Sequence, residues 1–183
     1  MYIPNKPAKY AIKVVMMCDV GTNYMINTIL YLDSNTQTKC IPLASYFVEE
    51  LTRNIQGTNR NITMENWFTS IPLAEKLLTS PMNFTILGTV RKNKRAIPPE
   101  LLQFRSRRIG TAMYCFDKAE TLLSYKTKPN KFVILLSTFH KKPNVNQESR
   151  KPETIEFYNS TKGAVDTLDQ MCNNISYSRK TPR

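Results

Sequence analysis

A chain of 183 residues, 41% of them hydrophobic, can bury the core of one domain, or of one domain with an inserted subdomain, and is too apolar for disorder throughout. Its 26 Lys and Arg against 14 Asp and Glu leave a formal charge of +12, which favours a polyanion such as nucleic acid over an acidic small molecule as partner. No apolar run approaches the ~18 residues of a membrane helix and no long apolar core follows the first residues, so neither signal peptide nor membrane span is read and an intracellular chain is expected.

Cys18, Cys40, Cys115 and Cys172 form no Cys-x-x-Cys pair and the one histidine is His140, so no zinc site of ordinary spacing can be written. Reduced, mostly buried thiols are expected. Asn-x-Ser/Thr sequons begin at Asn61, Asn83, Asn159 and Asn174; without a secretory signal they read as chance occurrences in an Asn- and Thr-rich sequence.

Residues 11–18 are nearly continuous apolar sequence and predict a buried strand, with 24–32 as its hairpin partner after a turn at 19–23. Asp19 reads as the opener of that turn, because an Asp carboxylate satisfies nearby backbone donors. Ile41 and Pro42 open a helix whose Leu43, Ala44, Phe47, Val48 and Leu51 face a sheet, leaving Glu49, Glu50 and Arg53 outward. Residues 60–64 predict a short strand, with Glu65, Asn66, Trp67 and Phe68 where it leaves the sheet. Both aromatics read as core anchors and not as a base-stacking platform. Ser70 is the expected cap of the next helix, with Pro72 in its first turn and Leu73, Leu77 and Leu78 as its buried stripe.

Residues 84–90 predict another strand, and Arg91, Lys92, Asn93, Lys94 and Arg95 follow it, four cations in five positions. Arg105, Arg107 and Arg108 form a second basic cluster whose orientation the sequence leaves open. Three short strands are predicted at 112–116, 121–125 and 132–138, separated by turn-rich sequence such as Lys128-Pro129-Asn130. The polar stretch 140–152 reads as an exposed loop in which His140 has no neighbouring nucleophile or carboxylate and is no general base. Residues 154–158 predict a last strand. Asn159, Ser160 and Thr161 then offer caps for a helix starting near Ser160, with Ala164, Val165, Leu168 and Met171 at helical spacing. Asp166 and Asp169 share one face of that helix, close enough to bind one cation or position one water. No internal repeat is found.

Five ordered blocks carry a resemblance: Met1-Tyr2-Ile3-Pro4-Asn5-Lys6-Pro7; Met16-Met17-Cys18-Asp19; Asn61-Ile62-Thr63 followed by Asn66-Trp67-Phe68-Thr69-Ser70-Ile71-Pro72-Leu73-Ala74; Gly88-Thr89-Val90-Arg91-Lys92-Asn93-Lys94-Arg95; and Lys162-Gly163-Ala164-Val165-Asp166-Thr167-Leu168-Asp169-Gln170-Met171. Together they resemble the piggyBac transposases and piggyBac transposable element-derived proteins, over nearly all the chain. The resemblance implies an α/β fold, an incomplete RNase H-like (DDE/DDD transposase) domain with a mixed sheet, flanking helices and a β-rich insertion. Residues 1–95 would be the first part of the core, 96–153 the insertion and 154–183 the second part with the Asp166 helix.

The resemblance also implies the chemistry. Glu65 stands where the family has its second metal-binding Asp, so Glu65, Asp166 and Asp169 are the candidate catalytic positions, with Glu65 and Asp166 as Mg²⁺ ligands. Such sites hold two ions about 3.5–4 Å apart, and the extra methylene of Glu65 is expected to disturb the bridging. The family's first metal-binding Asp precedes the Met-Tyr-Ile-Pro-Asn block, and Asp19 is outside the metal-binding set; the family's zinc-binding segment follows the last residues here. The expectation is a fragment of a cut-and-paste DNA transposase catalytic domain, catalytically inactive and nuclear, that retains DNA binding. The alternatives are part of an active metal-dependent transposase from a truncated gene model, and a domesticated protein-interaction module. Arg91, Lys92, Lys94 and Arg95 are expected near the DNA path, with Arg91 and Lys94 on phosphates. Related transposases are expected as homo- or heterodimer partners, and neither membrane nor small-molecule substrate is expected.

Overall fold

The computed structural model describes residues 12–31, 38 and 40–175, so the first sequence block, 1–7, lies outside the described residues. In chain order the elements are β1 (Lys13–Cys18), β2 (Met25–Tyr31), α1 (Leu43–Thr52), β3 (Asn61–Met64), α2 (Ile71–Leu78), β4 (Thr85–Thr89), α3 (Pro99–Leu102), β5 (Ala112–Asp117), β6 (Glu120–Lys128), β7 (Lys131–Ser137), α4 (Glu153–Thr161) and α5 (Ala164–Asn173). They divide into two units, Met1–Cys40 with Gly163–Arg183, and Ile41–Lys162.

In the first unit β1 and β2 form the predicted antiparallel hairpin, from Lys13 opposite Tyr31 to Cys18 opposite Met25. Asp19 sets the turn: its Oδ2 accepts from the backbone N–H and the hydroxyl of Thr22 at 2.9 and 2.8 Å, and its own N–H donates to the Tyr24 carbonyl at 2.8 Å. The expected burial of β1 does not hold, since only Val15 of that strand is buried, and Val14 and its cross-strand partner Leu30 are exposed. A continuous apolar run is buried on both faces only where neighbours cover both, and among the described residues this hairpin pairs with no third strand. On its other side α5 lies against β1.

The second unit is built on a five-stranded sheet of order β3-β4-β7-β6-β5. β3 runs parallel to β4, from Asn61 opposite Thr85 to Met64 opposite Gly88, and every other pair is antiparallel. Successive residues of a strand face opposite sides. Ile86, Leu122, Ile134 and Leu136 therefore join Val48 of α1 and Leu73 and Leu77 of α2 in one core, while Leu87, Leu123 and Leu135 join Ile155 of α4 in another. Each of those fully buried leucines contributes about 1.5–3 kcal/mol. Ser70 occupies the cap position of α2 with an extended backbone, but its hydroxyl makes no cap bond; its carbonyl accepts the Ala74 N–H at 3.0 Å.

Two expectations fail near the end of the chain, for linked reasons. Residues 154–158 belong to a helix, α4, and not to a strand. The β-branched and aromatic residues there have strand preference, but Pro152 precedes the helix with φ −56°, Glu153 and Glu156 occupy its first turn, and Ile155 is buried against the sheet. Ser160 and Thr161 consequently close α4 instead of capping the Asp166 helix: both hydroxyls donate to the Phe157 carbonyl, at 2.9 and 2.8 Å. Gly163 holds the cap position of α5. The cysteines are free as expected but less buried, with Cys18 and Cys115 half-buried and Cys40 and Cys172 exposed.

Candidate nucleic-acid interface and its carboxylates

Glu65 follows the last residue of β3, and its carbonyl organises the turn that comes next. It accepts the N–H groups of Phe68 and Thr69 at 3.1 and 3.2 Å and the Thr69 hydroxyl at 2.9 Å. That turn closes onto Gly88 of β4, where a Cβ would stand 2.2 Å from Thr69 Oγ1 and 2.9 Å from the Met64 carbonyl oxygen. Only glycine permits so close an approach. Trp67 packs 6.1 Å from Phe47 and 4.7 Å from Phe68, ring centre to ring centre, as core anchors do. The Glu65 side chain is left exposed on a backbone that is held on both sides.

The cationic loop begins one strand away. Val90 donates to the Ile134 carbonyl at 2.8 Å, and beyond it Arg91 Nε donates to Asn66 Oδ1 at 3.3 Å, tying the loop to the residue after Glu65. Lys94 and Ile97 continue the loop through N–H bonds to Arg91 O and Lys94 O at 3.2 and 3.3 Å, and Ile97 is buried. Arg91, Lys92, Lys94 and Arg95 are all exposed. A cavity of about 450 Å³ opens between Asn66, this loop and Phe132. The Lys92 ammonium sits 3.8 Å above the Phe132 ring, which makes it less available to a phosphate than its neighbours.

In the other unit, Asp166 lies in the first turn of α5, where the helix dipole favours its charge, and Asp169 follows three residues later. Both are exposed. Their spacing sets both carboxylates on one side of the helix, as expected. Within neither unit do three His, Cys, Asp or Glu side chains gather into a cation cage among the described residues.

A family profile described as "Transposase IS4" matches residues 1–183. The chain belongs to that family, in its piggyBac type. The cryo-EM structure of a piggyBac transposase synaptic complex with hairpin DNA is 56% identical and superposes with a TM-score of 0.92, covering 100% of this chain and 38% of that one. This chain thus spans 38% of the length of the transposase it matches, and its α/β fold, a mixed five-stranded sheet with flanking helices, is that of the piggyBac catalytic domain. No helix among the described residues is long and apolar enough to cross a membrane.

In this piggyBac-type chain the second basic cluster is split by its surroundings. Arg107 turns inward, its two terminal nitrogens donating to the Ser124 hydroxyl at 2.7 Å and the Ser124 carbonyl at 3.4 Å, and burial pulls its guanidinium below the usual value. Arg105 and Arg108 stay exposed. His140 is not in an exposed loop, although residues 141–150 are exposed as expected. It is 7% exposed, its Nδ1 2.9 Å from Ser137 Oγ, with its ring edge-on to Phe139 and to Phe157 of α4. Burial pushes its pKa down, opposed by the charge of Glu153. The sequence reading missed that cover because it read 154–158 as a strand, and with it the partner Ser137.

One half-buried titratable group had no sequence signal. Glu120, at the turn from β5 to β6, has a buried Oε1 with no hydrogen-bond partner, and burial, then the charges of Glu75 and Asp117, push its carboxyl up to about 7. Glu75 reaches it from α2, 45 residues earlier in the chain (120 minus 75), a proximity that only the fold creates.

Proposed function

We propose that this chain is a DNA-binding part of a piggyBac-type transposase that grips backbone phosphates at Arg91 and Lys94 and does not cut and rejoin DNA strands by itself. The observation that carries the reading is the 3.3 Å bond from Arg91 Nε to Asn66, the residue beside Glu65. With Nε engaged there, the terminal nitrogens of Arg91 remain to take a phosphate as a fork, and Lys94 and Arg95 add point charge. A phosphate held by that loop therefore lies beside the turn that carries the Glu65 carboxylate. DNA as partner is supported further by the relative, which is a synaptic complex with hairpin DNA.

Glu65 in one unit, and Asp166 and Asp169 in the other, each expose carboxylates, the kind of oxygen ligand that a hard divalent cation such as Mg²⁺ prefers. When bound, such an ion activates the attacking oxygen and stabilises the departing one. Glu65 would reach such an ion on an arm one methylene longer than the Asp that the family resemblance implies there, from a backbone whose carbonyl is already committed to the Phe68 and Thr69 turn. That longer arm is the ground for reading Glu65 as an impaired ligand. Nuclear location and dimers with related transposases belong to the same reading.

Purified chain incubated with supercoiled plasmid in Mg²⁺ or Mn²⁺ is expected to shift the DNA on a gel and leave it unnicked. Nicking or joining that disappears in Asp166→Asn would overturn the claim of inactivity. A second reading, part of an active enzyme, is favoured by the 56% identity of this chain to a transposase seen in a synaptic complex with hairpin DNA. Exchanging this segment into the matching part of the relative separates the two readings: excision that requires Glu65→Asp supports impairment, and excision with Glu65 in place supports activity.

A further inference from the structure

Two basic loops that are separate in sequence meet at one aromatic pair. Phe104, after α3, stacks on Phe132 of β7 with ring centres 4.4 Å apart and planes at 26°. From the first loop, the Lys92 ammonium lies 3.8 Å from the Phe132 centre and 5.9 Å from Phe104. From beneath the second, the Lys126 ammonium lies 5.8 Å from Phe104. The pair is flanked by a cation contributed from each side.

Lys126 also fixes the second loop. It is 5% exposed, and its ammonium donates to the carbonyls of Arg105 and Arg107 at 3.2 and 2.6 Å. The Arg107 side chain turns in on Ser124, and the Thr111 hydroxyl bonds the Arg108 carbonyl at 2.7 Å. Burying an ammonium without a carboxylate is costly, and the two carbonyls offset that cost only in this loop conformation. Arg105 and Arg108 are thereby exposed on a backbone already held in place, which spares a ligand the entropy of ordering it. From position 91 to 116 the sequence has seven Lys and Arg and a single carboxylate, Glu100, so these charges are not neutralised locally.

We propose that the loop after β4 and the loop before β5 are one surface for a DNA duplex, contacting phosphates at Arg91 and Lys94 and again at Arg105 and Arg108, with the Phe104–Phe132 pair and its two lysines as the rigid support beneath them. This rests on the reading of DNA as partner and extends it to a second set of contacts. Lys92 and Lys126 are positioning residues here, and the phosphate ligands are the arginines and Lys94.

The test is binding of a short labelled duplex to the full chain, followed by fluorescence anisotropy across a salt series, for Arg91→Gln/Lys94→Gln, for Arg105→Gln/Arg108→Gln and for all four together. All are exposed positions, so folding is unaffected, and circular dichroism verifies it. Each double variant is expected to lower the slope of log K against log salt by about 1.8, two contacts at ~0.9 each, and the quadruple variant by about twice that. An unchanged slope in Arg105→Gln/Arg108→Gln beside a lowered one in Arg91→Gln/Lys94→Gln would overturn this inference and leave the proposed function standing. The reverse pattern would sink the assignment of Arg91 and Lys94 instead. Two duplexes bound per chain, one lost with each double variant, would refute a single continuous surface.

Discussion

Gly88→Ala is the sharpest test of how the Glu65 turn is held. The new methyl would stand 2.2 Å from Thr69 Oγ1 and 2.9 Å from the Met64 carbonyl oxygen, against the roughly 3.5 Å of ordinary contact. Gly88 cannot retreat, because its strand is paired with Met64 on one side and Leu136 on the other. Thr69, 1% exposed, must therefore give up its 2.9 Å bond to the Glu65 carbonyl. Losing a buried hydrogen bond costs about 1–3 kcal/mol and overpacking about 1–3 kcal/mol. The restricted unfolded chain returns about 0.4–1 kcal/mol. A net loss of about 2–4 kcal/mol is expected, read as a lower urea midpoint in the fluorescence of Trp67, the only tryptophan of the chain. Thr69→Ala removes the nearest obstacle, so in a double-mutant cycle it should cost stability in the parent and restore it beside Ala at position 88, with a coupling above about 1 kcal/mol. An unchanged midpoint for Gly88→Ala, or additive single changes, would refute the argument from close approach.

Ser137 Oγ accepts the N–H groups of Phe139 and His140 at 3.2 and 3.0 Å, which fills its lone pairs and leaves its proton for His140 Nδ1. The chain's single histidine should therefore be the Nε2–H tautomer in a ¹⁵N–¹³C correlation spectrum, and an Nδ1–H pattern would contradict this. Its folded pKa is lowered, so its contribution is full above the unfolded value of about 6.5 and is lost as pH falls below it; Glu153 is the charged group that opposes the shift. Glu120 acts in the opposite direction. With a folded pKa raised from 4.5 to about 7, its contribution is full below pH 4.5 and is lost as pH rises through 7, so Glu120→Gln should raise the urea midpoint at pH 8 and flatten the profile between pH 5 and 7. Asp19→Ala removes two bonds to Thr22 and should lower stability by about 1 kcal/mol, with the hairpin amides of β1 and β2 exchanging faster in deuterium; equal exchange would count against Asp19 as the organiser of that turn.

Where local chemistry and tertiary burial agree, the sequence reads through to the structure. The Asp19 turn is an example, because its partners Thr22 and Tyr24 lie within five residues. The Leu73 and Leu77 stripe of α2 is another, since helical spacing and burial coincide there. Residues 154–158 failed because their propensity and their surroundings point in opposite directions, and burial of Ile155 against Leu87 and Leu135 prevailed. The candidate site divides along the same line. Exposure of Arg91 and Lys94 was readable from a charge run at a strand end. The engagement of Lys92 with Phe132, the inward turn of Arg107 and the burial of Lys126 depend on contacts between distant segments, which periodicity does not encode.

The strand order also dictates a sequence of assembly. β6 and β7 are joined by a two-residue turn, with Lys128 opposite Lys131, and can close in microseconds, whereas β4 must reach across to β7: the Ile86 N–H meets the Thr138 hydroxyl 52 residues later in the chain. During synthesis Ile86 and Leu87 are therefore made well before the strand that covers them, and the parallel pair of β3 and β4 gains its second neighbour only when β7 has emerged. The half of the sheet that bears Glu65 is thus the half that waits, and a nascent chain stalled before Lys131 would present these apolar residues to chaperones.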